Sequence, residues 1–412
     1  MSNIYTTRNT CRGCGTVLDG SLLNLGMIAL NDFPTTPIPR EDLPAAPLDV
    51  VHCPGCSLVQ LRHTVRPDLM YREQYWYHSG VNETMRAELH DIVDAARTLH
   101  GLYHFVVDIG ANDGTLLSNY STADMRVAVE PCLQFRDGLF RHADAVISDY
   151  FPGARGDYRS LKGKADIVTA IACCYDLEDP LSFFEGIRDL LAPDGIAVIQ
   201  FQDLLQMVER TAFDNVCHEH LEYYSLTSLI PILARAGLVC VEVEHRAING
   251  GSLRCYLRKA DRHWDACGMV AEQVQQERRR LTPVKLQDFV WRVGEARKHL
   301  HAIVSHAATQ GPVDLYGAST KFNTLAQACG LDHTLIRQAV ERSPEKWGRY
   351  TVATNIPIVS EEAWRENPAP CTVCGIWQFR ESVLAREEGY LQKGGMIFFP
   401  LPCADLVTQG GR

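Results

Sequence analysis

The chain has 412 residues, enough for two to three domains, with 46% hydrophobic and 22% charged residues, as in an ordinary globular protein with real cores. Its net charge of −10 argues against non-specific nucleic-acid binding. No stretch approaches the roughly 20 apolar residues a membrane helix needs, and the polar opening MSNIYTTRNT, followed by cysteines, is not a signal peptide. The 15 cysteines are an odd count, mostly scattered singly through apolar segments. That usage suits a reducing compartment, hence a cytoplasmic protein.

Residues 1–70 form the first expected unit. Cys11-Arg-Gly-Cys14 and Cys53-Pro-Gly-Cys56 are paired knuckles with 38 residues between Cys14 and Cys53. Four thiolates make a closed tetrahedral site suited to zinc, with no position left for water, so the role is structural. Four unconnected thiols are the alternative. The Pro-rich stretch between the knuckles would draw its folding energy from the metal.

Residues 71–80, YREQYWYHSG, read equally as a plug at a domain junction or as a substrate-contacting loop. Residues 81–100 follow as a helix, with Met85, Leu89, Ile92 and Val93 on one face. Next comes FVVDIGANDGTLL, residues 105–117: a strand, a glycine-rich turn and a helix start. Asp108, Gly110 and Gly114 set a D-x-G-x-x-x-G spacing that lets the backbone approach a ligand. It lacks the Lys–Ser/Thr pair of a phosphate-gripping loop. RVAVEP follows, and Glu130, 22 residues after Asp108, suits the two hydroxyls of an adenosine ribose. Strands are expected at 104–109, 126–130, 145–148, 166–172 and 195–201, separated by helical patterns, as a parallel α/β sheet requires. Asp149 and Tyr150 after the third strand suit an adenine, or are an ordinary loop. After the fourth, CCYDLEDP places Tyr175 near the methyl donor, because ligands bind at the carboxyl ends of strands.

NVCHEHLEYYS, residues 215–225, is a dense set of titratable groups. A catalytic role, a satisfied structural cluster and a second metal site are all open, although HEHLE lacks the i, i+4 His pair of HExxH. In the catalytic reading a His is the base near neutral pH, and an adjacent Glu orients it and stabilises its charged form. Gly250 permits close approach in the turn that follows. Residues 258–311 are expected to be helical, with Pro283 marking a break or a second start. The last unit is again α/β. VDLYGASTKFNT brings Tyr316, Ser319, Lys321, Asn323 and Thr324 to a strand–helix turn that reads as an anion cradle or a plain cap, and Arg342, Lys346 and Arg349 gather in a loop. Cys371-x-x-Cys374 has no partner pair and reads as core.

Taken together, these pieces resemble the three-domain zinc-containing sugar C-methyltransferases that act on dTDP-linked 4-keto deoxysugars in antibiotic pathways. VDIGANDGTLL is similar to that family's S-adenosylmethionine (SAM) motif, HEH with its aromatic pair to its catalytic stretch, and YGASTKFNT with EKWGRYTVATNIPIVSE to its nucleotide-sugar domain. The resemblance implies an α/β fold in three parts: a zinc-binding domain (1–70), a class I, Rossmann-like methyltransferase domain (71–257), and a helical linker with a second Rossmann-like domain (258–412). It implies SAM on Asp108, Gly110, Asn112, Gly114, Glu130, Asp149, Tyr150, Tyr75, Ser79 and Gly80, and catalysis by His220, Glu219, Tyr224 and Tyr77. The acceptor would meet Tyr175, Cys217, Asn249, Gly250 and the C-terminal set. Where this chain has Cys217 and CCYDLEDP, the C-3′ enzymes carry a Tyr and a His. The implied product is a sugar methylated α to its ketone; another keto or hydroxyl acceptor is the rival. The expected state is a monomer or weak homo-oligomer with no nucleic-acid partner.

Overall fold

The computed structural model describes residues 4–71, 75–153, 157–264 and 267–409. Part of the 71–80 stretch, residues 72–74, lies outside them.

The N-terminal part contains β1 (Tyr5–Thr7), β2 (Leu23–Ala29), β3 (Ala45–His52), β4 (Val59–Leu61) and β5 (His63–Val65). The central part has β6 (Phe105–Ile109), β7 (Met125–Val129), β8 (Ala145–Ile147), β9 (Ala165–Ile171), β10 (Leu191–Gln202), β11 (Glu222–Tyr223), β12 (Leu238–Arg246) and β13 (Ser252–Lys259). Its seven-stranded sheet runs β12-β13-β10-β9-β6-β7-β8. The strands from β8 to β10 are parallel, and β13 lies antiparallel to both neighbours. The chain reverses direction across the sheet between β6 and β9, and that switch point is where such sheets bind ligands. Strands β6, β7, β9 and β10 are largely buried apolar runs covered on both faces, and the edge strand β8 is half-buried.

One expectation fails locally. The turn after β6 does not open an α-helix; only a 3-10 turn, Leu117–Asn119, forms before β7. Side chains capture the backbone there instead. Asp113 Oδ1 accepts from Thr115 N at 3.2 Å, and Asn119 Nδ2 donates to Thr115 O at 2.9 Å.

The C-terminal part holds β14 (Val313–Tyr316), β15 (Gln338–Glu341), β16 (Ile358–Ser360), β17 (Cys371–Cys374), β18 (Met396–Phe399) and β19 (Asp405–Val407), in the order β16-β15-β14-β17-β18-β19. All but β19 are parallel, so this sheet also has a switch point, between β14 and β17. Two helices, Gly268–Arg280 and Pro283–Gln310, lead into it; Thr282 caps the second, and Pro283 starts it. Cys374 is buried in β17, as core.

The three parts are tied together. Leu25, Ile28, Phe33 and Leu48 of the N-terminal part share one apolar core with Leu315, Phe322 and Leu325 of the C-terminal part. In the sheet β11-β4-β3-β2, the strand β11 comes from the central part, directly after His220. Among the described residues no helix is long and apolar enough to cross a membrane.

Candidate active site

The four knuckle cysteines meet at one point. The Sγ atoms of Cys11, Cys14, Cys53 and Cys56 all lie within 4.8 Å of one another. Each knuckle is a tight turn, closed by Gly15 N on Cys11 O at 2.9 Å and Ser57 N on Cys53 O at 3.0 Å. Gln60 Nε2 donates to Cys11 Sγ at 3.1 Å and Gly55 N to Cys53 Sγ at 3.4 Å. A closed set of four soft donors, with outer hydrogen bonds to the sulfurs, fits zinc in a structural role.

The donor half forms at the carboxyl ends of β6 and β7. Gly110 and Gly114 sit at positive φ, +72° and +81°. A Cβ on Gly110 would lie 3.0 Å from Cys173 Sγ, so only glycine lets these two loops meet. Asp108 is buried and accepts from Thr169 Oγ1 at 2.6 Å; burial pushes its pKa up to about 7. Its carboxyl thus holds β6 to β9 under the turn. Glu130 accepts Asn112 N and Cys132 N, both at 2.8 Å, one on each oxygen. That leaves a second lone pair on each oxygen, matching a ribose diol. Asn112 then clamps the approaching segment: Oδ1 accepts from Ser79 N at 3.0 Å and Nδ2 donates to Tyr77 O at 3.0 Å. Gly80 N donates to Asp113 Oδ2 at 2.7 Å. Tyr75 is fixed through both backbone groups by the Gln134 side chain. Asp149 and Tyr150 follow β8, with Tyr150 N donating to Asp149 Oδ1 at 2.9 Å. These residues fit SAM. Glu130→Ala is expected to weaken SAM binding by about 10- to 100-fold, as loss of charge-assisted bonds to a diol would, read by calorimetric titration.

The 215–225 stretch, the candidate for catalysis, leads into β11. His220 Nδ1 lies 2.8 Å from the Asn215 carbonyl. A carbonyl only accepts, so Nδ1 carries the proton and the Nε2 lone pair stays open. The ring packs edge-on against Tyr175, centroids 4.7 Å apart. Burial, helped by the Lys321 ammonium, pushes the His220 pKa down to about 3. The imidazole is therefore neutral at physiological pH, the form a base needs. In kcat/KM against pH, no inflection from His220 is expected between pH 5 and 8. The sign for stability follows: below the ordinary value of 6.5 the unfolded chain takes up this proton and the folded one resists it, so the group's contribution declines as pH falls from 6.5 toward 3.

Several expected roles are placed differently. The recorded partner that orients His220 is the Asn215 carbonyl, not Glu219; Glu219 Oε1 faces Asn31 Nδ2 at 3.4 Å, and its Oε2 is buried without a partner. Tyr224 turns into the central core against Phe201, because alternation along β11 sends neighbours to opposite faces. Tyr223, on the other face, keeps a buried hydroxyl without a partner. Tyr77 leaves its side chain well exposed. Cys217 is buried in the same segment as His220.

The C-terminal residues meet protein more than an open cradle. Lys321 Nζ donates to Asn215 Oδ1 at 2.6 Å, reaching across the domain seam toward the base. Ser319 caps its helix through Phe322 N, Asn323 Nδ2 donates to Asn31 Oδ1 at 2.7 Å, and Thr324 is buried beside them. Tyr316 does not face the crevice: its hydroxyl is spent on Glu361 at 2.6 Å and Glu387 at 2.8 Å inside the core. Lys346 donates to Ala318 O at 3.0 Å and lies over the Phe33 ring, and Arg349 lies over the Trp76 ring. Arg342 remains largely exposed, 3.9 Å from Glu361. Trp377 packs onto the turn at Asn249 and Gly250, where a Cβ on Gly250 would lie 2.6 Å from its ring, and its Nε1 donates to Asp214 at 2.9 Å. Trp377, Asn31 and Tyr71, whose hydroxyl donates to Glu219 O at 3.2 Å, carried no signal in sequence spacing, because their contacts join segments more than a hundred residues apart.

The doubly wound sheet with its glycine-rich turn, beside a four-thiol knuckle, fits a methyltransferase with a zinc site. Family models match three consecutive stretches: a zinc binding domain at residues 11–71, a methyltransferase domain at 81–243 and a C-methyltransferase C-terminal domain at 247–402. These matches, one after another along the chain, support a SAM-dependent C-methyltransferase. The chain is 28% identical over 363 residues to the C-methyltransferase NovU of Streptomyces niveus, covering 86% of each chain. Among solved structures, the PH0226 protein from Pyrococcus horikoshii OT3 overlaps 44% of this chain and 94% of its own, with 14% identity and a TM-score of 0.37. A SAM-dependent methyltransferase from Clostridium acetobutylicum ATCC 824 overlaps 42% and 92%, with 10% identity and a TM-score of 0.36. Overlaps this slight say nothing about activity.

Proposed function

We propose that this enzyme methylates the carbon α to the ketone of a nucleotide-linked 4-keto-deoxysugar, with dTDP as the nucleotide, and that His220 is the base. The observation that carries the reading is the imidazole held through Nδ1 by the Asn215 carbonyl, which leaves the Nε2 lone pair as the basic site, in a segment that Asn31 of the N-terminal part and Lys321 of the C-terminal part both reach.

A ketone acidifies the neighbouring C–H. His220 Nε2 takes that proton, and the bonding pair moves onto the carbonyl oxygen as an enolate. Asn215 Nδ2 and the Tyr223 hydroxyl, buried in this segment without partners, are the open donors for the developing oxyanion. Lys321 adds positive charge beside them. SAM, when bound, would supply a methyl on a sulfonium, to which the enolate carbon could bond while the S–CH3 pair leaves with S-adenosylhomocysteine. Glu130, Asn112 and the clamped 75–80 segment hold the donor, so much of the rate comes from orientation. Arg342, at the carboxyl edge of the second sheet, is the exposed cation available to a diphosphate. The zinc takes no part in the reaction. The test is mass spectrometry of the enzyme with SAM and a panel of dTDP-4-keto-6-deoxysugars: one methyl gained per S-adenosylhomocysteine supports the reading, and SAM binding with no sugar modified sinks it.

A further inference from the structure

A chain of buried side chains joins the metal knuckle to the catalytic stretch, and zinc binding alone does not account for it. Arg12 sits inside the first knuckle, between Cys11 and Gly13, a position where a wrapping turn needs no long side chain. Yet its guanidinium is buried and every arm is used. Nη2 donates to Thr64 Oγ1 at 2.7 Å, and Nη1 to Gln60 Oε1 at 3.2 Å and to Leu61 O. Nε donates to Glu178 Oε2 at 3.2 Å and lies 3.6 Å from Glu222 Oε1. A buried cation is costly unless it is paired and fully hydrogen-bonded, so this arrangement is demanding to keep.

Gln60 closes the link. Its Nε2 donates to Cys11 Sγ at 3.1 Å, its Oε1 accepts from Arg12 N at 3.1 Å, and on β4 it pairs directly with Glu222 of β11. Both groups that frame His220 are tied to this unit. Leu61 N donates to Leu221 O at 2.8 Å, next to His220 in the chain. The Tyr175 carbonyl accepts Leu221 N at 2.8 Å and Glu222 N at 3.0 Å, and its ring packs on the imidazole. Glu178, on the same loop as Tyr175, is held by Arg12 and Arg8. The planar fork of an arginine is what reaches two carboxylates, a carbonyl and an amide at once; an ammonium could not.

We propose that Arg12, with Gln60 and Glu222, is a positioning relay that transmits the geometry of the zinc knuckle to the His220 imidazole. The relay rests on the reading of His220 as the base. Arg12 touches no reacting atom. It acts by fixing β11 and the Tyr175 loop on either side of the ring, so its loss moves turnover and leaves donor affinity and zinc content in place.

The test is Arg12→Lys, which keeps the charge and loses the fork. The protein should still carry one zinc by metal analysis and bind SAM as before. The expected loss in kcat is about 10- to 100-fold with KM little changed, the signature of a misaligned base. In ¹⁵N spectra of histidine-labelled enzyme without substrate, the His220 signals, identified by their absence in His220→Asn, should move from the pure Nδ1–H tautomer toward averaged values. Gln60→Met cuts the link at its second member, is read in the same way, and decides the matter if Arg12→Lys does not fold. Unchanged kcat and unchanged imidazole shifts overturn the relay, and so does a loss of turnover that follows only loss of zinc or SAM. Failure of the base reading looks different: α-proton exchange into D₂O that persists in His220→Asn removes the base while the imidazole shifts still report on the relay.

Discussion

His220→Asn is expected to lower methyl transfer by about 10²–10⁴-fold, the usual worth of a positioned general base, while the SAM titration stays unchanged. The argument is geometric first. The ring is held through Nδ1 by a carbonyl acceptor and packed edge-on against Tyr175, which leaves the Nε2 lone pair as the basic site. Asn can replace the Nδ1–H donor with its amide, so the fold of the segment should survive while the acceptor nitrogen is lost. Exchange of the substrate α-proton with D₂O in the absence of SAM should be lost in step with turnover. Persistent exchange in the variant would assign the proton to another group.

Cys53→Ser carries the second large effect. A three-thiol site binds zinc far more weakly, and structural zinc supplies on the order of 10 kcal/mol of folding free energy in small zinc modules. The consequence should not stay local. The sheet built on β3 and β4 includes β11, and Phe33 with its neighbours shares a core with the C-terminal part. The variant should purify without zinc, unfold at lower temperature and lose turnover more than SAM binding, since Glu130 and the β6 turn lie in a different sheet. A zinc-free variant with an unchanged melting curve would contradict the structural role.

The central sheet was legible in the sequence because each strand is a short apolar run ending in turn residues. The expected strand 104–109 differs from β6 by one residue, and 126–130 is β7 shifted by one residue. Paired knuckles are equally local, so Cys11, Cys14, Cys53 and Cys56 were readable from spacing alone. The helix after Gly114 was not, because Asp113, Ser118 and Asn119 bind nearby backbone and end the turn early. The alternation that puts Tyr224 in the central core and Tyr223 in the core shared with the C-terminal part depends on β11 pairing with β4, a contact across some 160 residues. For the same reason Lys321 read as part of an anion cradle, whereas its ammonium reaches Asn215 on another part of the chain. Residue types at strand ends are local and readable; contacts across the domain seams, such as Lys321 to Asn215 and Trp377 to Asp214, are not.

The most direct test of the account is product analysis. The enzyme, incubated with SAM and dTDP-4-keto-6-deoxysugars with and without a 2-hydroxyl, should yield a sugar heavier by one methyl and an equal amount of S-adenosylhomocysteine, with NMR placing the new methyl on a carbon next to the ketone. A methyl found on oxygen, or SAM bound tightly while every 4-keto sugar is returned unchanged, would contradict it.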